Sequence, residues 1–219
     1  MKTEDLKRSI NNIIENTFEL VQEAYKHNEA KPENIGGKWE RTSTRLIFPK
    51  YGEPQGNKIR ISEQELRFAF VEAFNQYCNN PANRCNLFYS VETPTLKKYS
   101  GFSKKGETPK ENEKGRSAEF DLVIYNENLK RVCLIEFKAK NANEKNHWKD
   151  FVKLNNEHEG DENVLRYLIE ILKSYNNTTI NNIKEKLSKN KCLKASYICY
   201  SLEDNGMGHD ITNQVTNNK

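Results

Sequence analysis

Ala118-Glu-Phe-Asp-Leu-Val-Ile-Tyr125 and Arg131-Val-Cys-Leu-Ile-Glu-Phe-Lys-Ala-Lys140, joined by the polar turn Asn126-Glu-Asn-Leu-Lys130, decide the fold of this chain. Two short apolar runs around a polar turn read as a β-hairpin. Runs this apolar belong in the middle of a sheet, where a lone charge is costly to bury. Asp121, Glu136 and Lys138 nevertheless stand inside them. Strand side chains alternate, so Glu136 and Lys138 share a face, roughly 6.5–7 Å apart along the strand. With the turn over 126–131, Tyr125 pairs with Val132, and Asp121 falls opposite Glu136 with Cβ atoms roughly 4.5–5.5 Å apart. Carboxylates that close repel each other, and a bound cation relieves the repulsion. A slip of one residue would send Asp121 to the other face, so the pairing depends on register.

Upstream of the hairpin, Leu6, Ile10, Ile13, Ile14, Phe18, Val21 and Tyr25 recur at helical spacing, which predicts one amphipathic helix over 4–26. The Pro- and Gly-rich stretch 28–60 reads as loop, with a short extended piece at Thr44–Phe48. Ser62-Glu-Gln-Glu65 is a capping box opening a helix to about Cys78, with Leu66, Phe70, Ala73, Phe74 and Tyr77 as its apolar face. A strand follows over Asn86–Thr93, then a basic loop over 97–116. Downstream, Trp148, Phe151, Val152 and Leu154 mark a helix, and Val164, Leu165, Leu168, Ile169, Ile171 and Leu172 a further one. Thr179 to Leu187 reads as a short helix capped by Thr178 or Thr179. Lys194–Leu202 is a strand, and the polar tail from Glu203 is expected to fray. The expected organisation is an N-terminal helix and loop arm packed on the core over 1–61, an α/β core over 62–202 and a polar tail over 203–219.

The 219 residues suit one α/β domain with a well-buried core. Thirty-five basic against 31 acidic residues give a net charge of +4, and the mean hydropathy is −0.93. That balance permits nucleic-acid binding without demanding it. The distribution is more pointed. Lys97, Lys98, Lys104, Lys105, Lys110, Lys114 and Arg116 precede the Asp121 strand, either as a solvated loop or as a path for a phosphate backbone. Five cysteines form no Cys-x-x-Cys pair, Cys133 and Cys199 read as buried core, and the odd count points to a reducing cytoplasm. No apolar stretch is long enough to span a bilayer, no phosphate-loop signature is present, and the four histidines lack zinc spacing.

From residue 62 the expected order is helix, three strands, helices, strand, with Asp on the second strand and Glu-x-Lys on the third. This resembles the PD-(D/E)XK nuclease superfamily, the restriction-endonuclease-like fold. The resemblance implies a three-layer α/β/α core around a mixed sheet of four or more strands, with the N-terminal helix as an added arm. It also implies that Asp121, Glu136 and the Phe137 carbonyl hold Mg²⁺ or Mn²⁺, hard ions that prefer oxygen ligands. Lys138 would orient the attacking water. An acid from the preceding helix, Glu65 or else Glu63, would hold a second metal or orient water. The helix after the lysine strand offers His147, Lys149, Asp150 and Lys153 toward substrate, and Lys140 and Arg116 would contact phosphates. Phe120 stands where the family's name has proline.

The implied activity is phosphodiester hydrolysis, in DNA first, in a restriction, defence or repair setting, with a homodimer as the family habit. Each residue also has a plainer role. Asp121 and Lys138 could form a cross-strand salt bridge. The capping box accounts for Glu65 by itself. Glu119 is either a neighbour of the site or a strand-end charge, and His147 a helix-start residue. A nucleic-acid-binding protein with weak or lost catalysis, or a protein-interaction module without metal, are the alternatives.

Overall fold

The structure, a computed structural model, describes residues 3–29, 44–52, 58–83, 85–101, 110–140, 144–190, 194–204 and 207–216. Its frame is a seven-stranded mixed sheet of order β4-β3-β5-β6-β7-β8-β9. The strands are β3 (Phe88–Ser100), β4 (Lys110–Glu111), β5 (Arg116–Tyr125), β6 (Arg131–Ala139), β7 (Leu165–Ser174), β8 (Ser196–Asp204) and β9 (Met207–Asp210). β6, β7 and β8 run parallel, and the other neighbours are antiparallel. A separate two-stranded ribbon, β1 (Lys50–Tyr51) with β2 (Lys58–Ile59), lies before the main sheet.

Helices cover both faces. α1 (Thr3–Glu29) and α2 (Glu63–Asn79) bury Ile10, Ile13, Leu66 and Phe70 against Leu122, Ile124, Ile135, Phe137 and Ile169. On the other face, α3 (Glu144–Asn155), α4 (Asn177–Asn190) and α5 (Thr212–Thr216) pack Phe151, Leu154, Ile183 and Val215 against Val123, Leu134, Leu168 and Cys199. The alternation along β6 produces this division, because Cys133, Ile135 and Phe137 face α1 and α2 while Leu134 faces α3.

Several expectations change. Residues 165–174 form β7, not a helix. That strand lies between two parallel neighbours and is buried on both faces, so its apolar residues run on without alternation and imitate helical spacing. β3 runs on to Ser100 and is met by β4, so part of the basic loop is sheet; Lys104 and Lys105 lie outside the described residues. The tail does not fray at Glu203. β9 pairs with β8, and Ile211 and Val215 are buried behind it. α4 is capped by Asn176, whose Oδ1 accepts from the Thr179 N–H at 2.9 Å, rather than by a threonine. α1 packs on α2 and β8 and shares their buried cluster. A disulfide joins Cys78, in the last turn of α2, to Cys85 beyond it, while Cys133 and Cys199 are buried thiols. Among the described residues, no helix is long and apolar enough to cross a membrane.

Candidate active site

The β5–β6 ladder pairs Leu122 with Ile135, Val123 with Leu134 and Ile124 with Cys133. An irregularity then puts Tyr125 against Arg131, not Val132. Extended by one step, the regular part of the ladder brings Asp121 to Glu136. At that step the side chain takes over from the backbone: Asp121 Oδ2 accepts the Phe137 N–H at 2.8 Å. The β3 side is interrupted at the same level. Val91 pairs with Leu122 and Thr93 with Phe120, while Glu92 between them adopts φ 47°. A left-handed non-glycine residue is costly and persists where its surroundings enforce it. Arg67 of α2 does so here, donating to Glu92 Oε1 at 3.1 Å and to Asp121 Oδ1 at 3.0 Å.

Glu136 and Lys138 are both buried on the α3 side of β6. Lys138 Nζ reaches Asp150 Oδ2 at 2.8 Å, donates to the Phe137 carbonyl at 2.8 Å, and lies 3.7 Å from Glu63 Oε1. Lys153, one turn beyond Asp150 on α3, is in direct ionic contact with Glu136, lies 3.2 Å from Asp150 Oδ1, and donates to the Glu119 carbonyl at 2.7 Å. Glu136 Oε1 and Asp150 Oδ2 meet their lysines off the hydrogen-bond directions, so distance carries the attraction. Four carboxylates (Glu63, Asp121, Glu136, Asp150) thus interlock with three cations (Arg67, Lys138, Lys153) where the start of α2 and the middle of α3 meet the sheet.

Burial pushes the Glu136 carboxyl well above the usual range, and the charges of Asp150 and Asp121 push it further, against the pull of Lys153. Asp150 is the reverse case: burial would raise it, but Lys138 and Lys153 hold it below the ordinary value. For the two lysines burial works downward and is outweighed by the carboxylates, so both stay firmly protonated. Glu63 is raised by burial, with Lys138 opposing. The arrangement is one acid reluctant to ionise beside another held ionised, and adjacent environments that separate two carboxyls in this way are a common mark of reacting sites.

The remaining candidates are scattered. Glu65 accepts from Arg60 at 3.0 Å and from the Ser62 hydroxyl. Glu63 is the acid of α2 that approaches Lys138. Lys140 is exposed at the end of β6, with φ 63°, and its N–H donates to the Ile171 carbonyl at 3.0 Å. Arg116 is exposed opposite Tyr99, about 16 Å along β5 from Asp121. Lys149 is half-buried on α3. His147 is buried, with Nε2 3.0 Å from Glu170 Oε2, in a cluster that the Tyr197 hydroxyl joins at 2.5 Å. Glu119 contributes its carbonyl rather than its carboxylate. Arg67 had no place among the sequence candidates, although Glu63 and Arg67 stand four apart on α2, the spacing of one helix face.

Asp121, Glu136 and the Phe137 carbonyl offer hard oxygen donors from adjacent strands, the set that suits Mg²⁺ or Mn²⁺. The repulsion on Glu136 is the strain such an ion relieves. The donors fit, but they are engaged: Arg67 and the Phe137 N–H hold Asp121, Lys153 holds Glu136, and Lys138 holds the carbonyl. Among the described residues, no three His, Cys, Asp or Glu side chains are grouped as a metal-holding set. No protein-family profile, curated protein or solved structure matches the chain.

Proposed function

We propose that the chain is a Mg²⁺- or Mn²⁺-dependent nuclease of PD-(D/E)XK type, hydrolysing phosphodiester bonds in nucleic acid, with DNA as the first substrate. One observation carries the reading. The Asp121 carboxylate is bound to the backbone N–H between Glu136 and Lys138, so the three motif residues share one locus. The sequence α2-β3-β5-β6-α3-β7, with β7 parallel to β6, supports it as the helix, three strands, helix, strand order of a restriction-endonuclease-like core.

Asp121, Glu136 and the Phe137 carbonyl would hold the metal, which supplies charge neutralisation at phosphorus and a more acidic bound water. Lys138, protonated and steered by Asp150, presents an ammonium to the attacking water and to the phosphate. Arg67 fixes Asp121 from the α2 side, and Glu63 adds a carboxylate beside Lys138. Lys140 after β6, Arg116 at the start of β5 and Lys149 on α3 remain the proposed phosphate contacts, and restriction, defence or repair the setting, with a homodimer as the working assembly. The test is incubation of plasmid and single-stranded substrates, DNA and RNA, with Mg²⁺ or Mn²⁺. Cleavage is expected and is abolished by Glu136→Ala or Lys138→Ala. Absence of any cleavage under Mn²⁺ sinks the proposal. The engaged state of every carboxylate favours one second reading, a nucleic-acid-binding protein on this fold whose catalysis has been lost; it predicts binding without cleavage.

A further inference from the structure

We infer that Lys153 is a built-in counter-ion of the Glu136 carboxylate, one that a divalent cation must displace in order to load. The inference rests on the nuclease reading of the site. Lys153 comes from α3, outside the hairpin motif, and is fixed by three oxygens: the Glu136 carboxylate, Asp150 Oδ1 at 3.2 Å and the Glu119 carbonyl at 2.7 Å. Its ammonium also lies 5.6 Å from the centre of the Phe120 ring, a favourable contact for a cation. Lys138, although only two residues from Glu136, is turned to Asp150, Glu63 and the Phe137 carbonyl. Charge on Glu136 is therefore balanced from α3 and not from its own strand.

Glu136 is 2% exposed and Lys153 6%, so a cation must reach a buried carboxylate that the ammonium already neutralises. Leaving is not a large step. Lys153 gives up one partner and keeps Asp150 and the Glu119 carbonyl within reach of its flexible stem. Exchange with a monovalent ion gains nothing, since one unit charge replaces another at extra desolvation. A divalent ion adds a charge that the repelling carboxylates Asp121, Glu136 and Asp150 can use. The device keeps the buried acid compensated without metal and reserves the site for divalent cations.

Mg²⁺ binding to the full chain by calorimetry at pH 8.0 tests this, comparing wild type with Lys153→Met, Lys153→Arg and Glu136→Gln. Lys153→Met should bind at least tenfold more tightly than wild type, Lys153→Arg within about threefold, and Glu136→Gln should not bind. Equal affinity of wild type and Lys153→Met overturns the counter-ion and leaves the metal site standing. No Mg²⁺ binding by either protein overturns the nuclease reading together with the inference. Should Lys153→Met fail to fold, the ¹⁵N-lysine ammonium signals of the wild-type protein decide the matter. The signal missing from Lys153→Arg should move on saturation with Mg²⁺, and binding that leaves it unmoved refutes displacement.

Discussion

Asp150 is the acid on which both lysines of the site converge, and Asp150→Ala tests the reasoning most severely. At an effective dielectric constant of about 20, opposite charges 2.8 Å apart attract by about 6 kcal/mol and those 3.2 Å apart by about 5 kcal/mol. Most of that gross attraction is cancelled by desolvation of the three ions, and removal of Asp150 also relieves its repulsion of Glu136. Loss of one member of a buried ion pair costs about 3–5 kcal/mol, because the partner stays buried and uncompensated. For a chain of this size that corresponds to a fall in Tm of about 6–20 °C, measured by calorimetry or urea unfolding without metal. The pH profile follows from the sign of the shift. The folded-state carboxyl of Asp150 titrates below its ordinary value of 3.8, so its contribution is complete well above that pH and is lost as the pH falls through it. Wild type and variant should differ fully at pH 7 and converge in acid. A difference below about 0.5 kcal/mol at pH 7, a size typical of surface substitutions, would refute the claim that Asp150 holds the site together.

Two further outcomes separate roles that the sequence leaves merged. Glu65→Ala should lower stability by about 1–2 kcal/mol through loss of the Arg60 and Ser62 contacts and leave cleavage intact, whereas Glu63→Gln should slow cleavage with little effect on stability. Lys140→Gly relieves a left-handed backbone and keeps the bond to Ile171, so it should raise stability by up to about 1 kcal/mol. If Lys140 contacts a phosphate, the same change should reduce the salt dependence of nucleic-acid binding by about one charge, read by titration across ionic strength.

The hairpin was legible because two apolar runs flank a polar turn, and that turn fixed their register within a residue. The bulge at Tyr125 was not, since no residue there announces it. β7 was misread for a physical reason: a strand buried on both faces loses the period of two that distinguishes it. Glu65 drew attention through the capping-box pattern, yet Ser62 makes no side-chain bond to the α2 backbone, and its hydroxyl donates to the Glu65 carboxylate instead. Glu63 and Arg67, and likewise Asp150 and Lys153, share helix faces by simple spacing, but which face meets the sheet is set by packing. Glu159 shows the same limit. Fully buried, it accepts from the N–H groups of Leu96 and Lys97 and from the Tyr99 hydroxyl, a partnership across some 60 residues that nothing local encodes.

The place of α1 bears on how the molecule is made. The Tyr25 hydroxyl donates to Glu203, 178 residues away in sequence, and Phe18 stacks on Tyr200 with ring centroids 4.5 Å apart. The first helix therefore finds its seat on β8 only after β8 itself has been synthesised. Until then Ile10, Ile13 and Val21 lack that part of their cover, and closing so long a loop slows the final step. On the ribosome this helix waits for β8, and a nascent or truncated product lacking β8 carries a sticky apolar stripe into solution. Removing residues 3–29 would not trim an appendage but open one wall of the building.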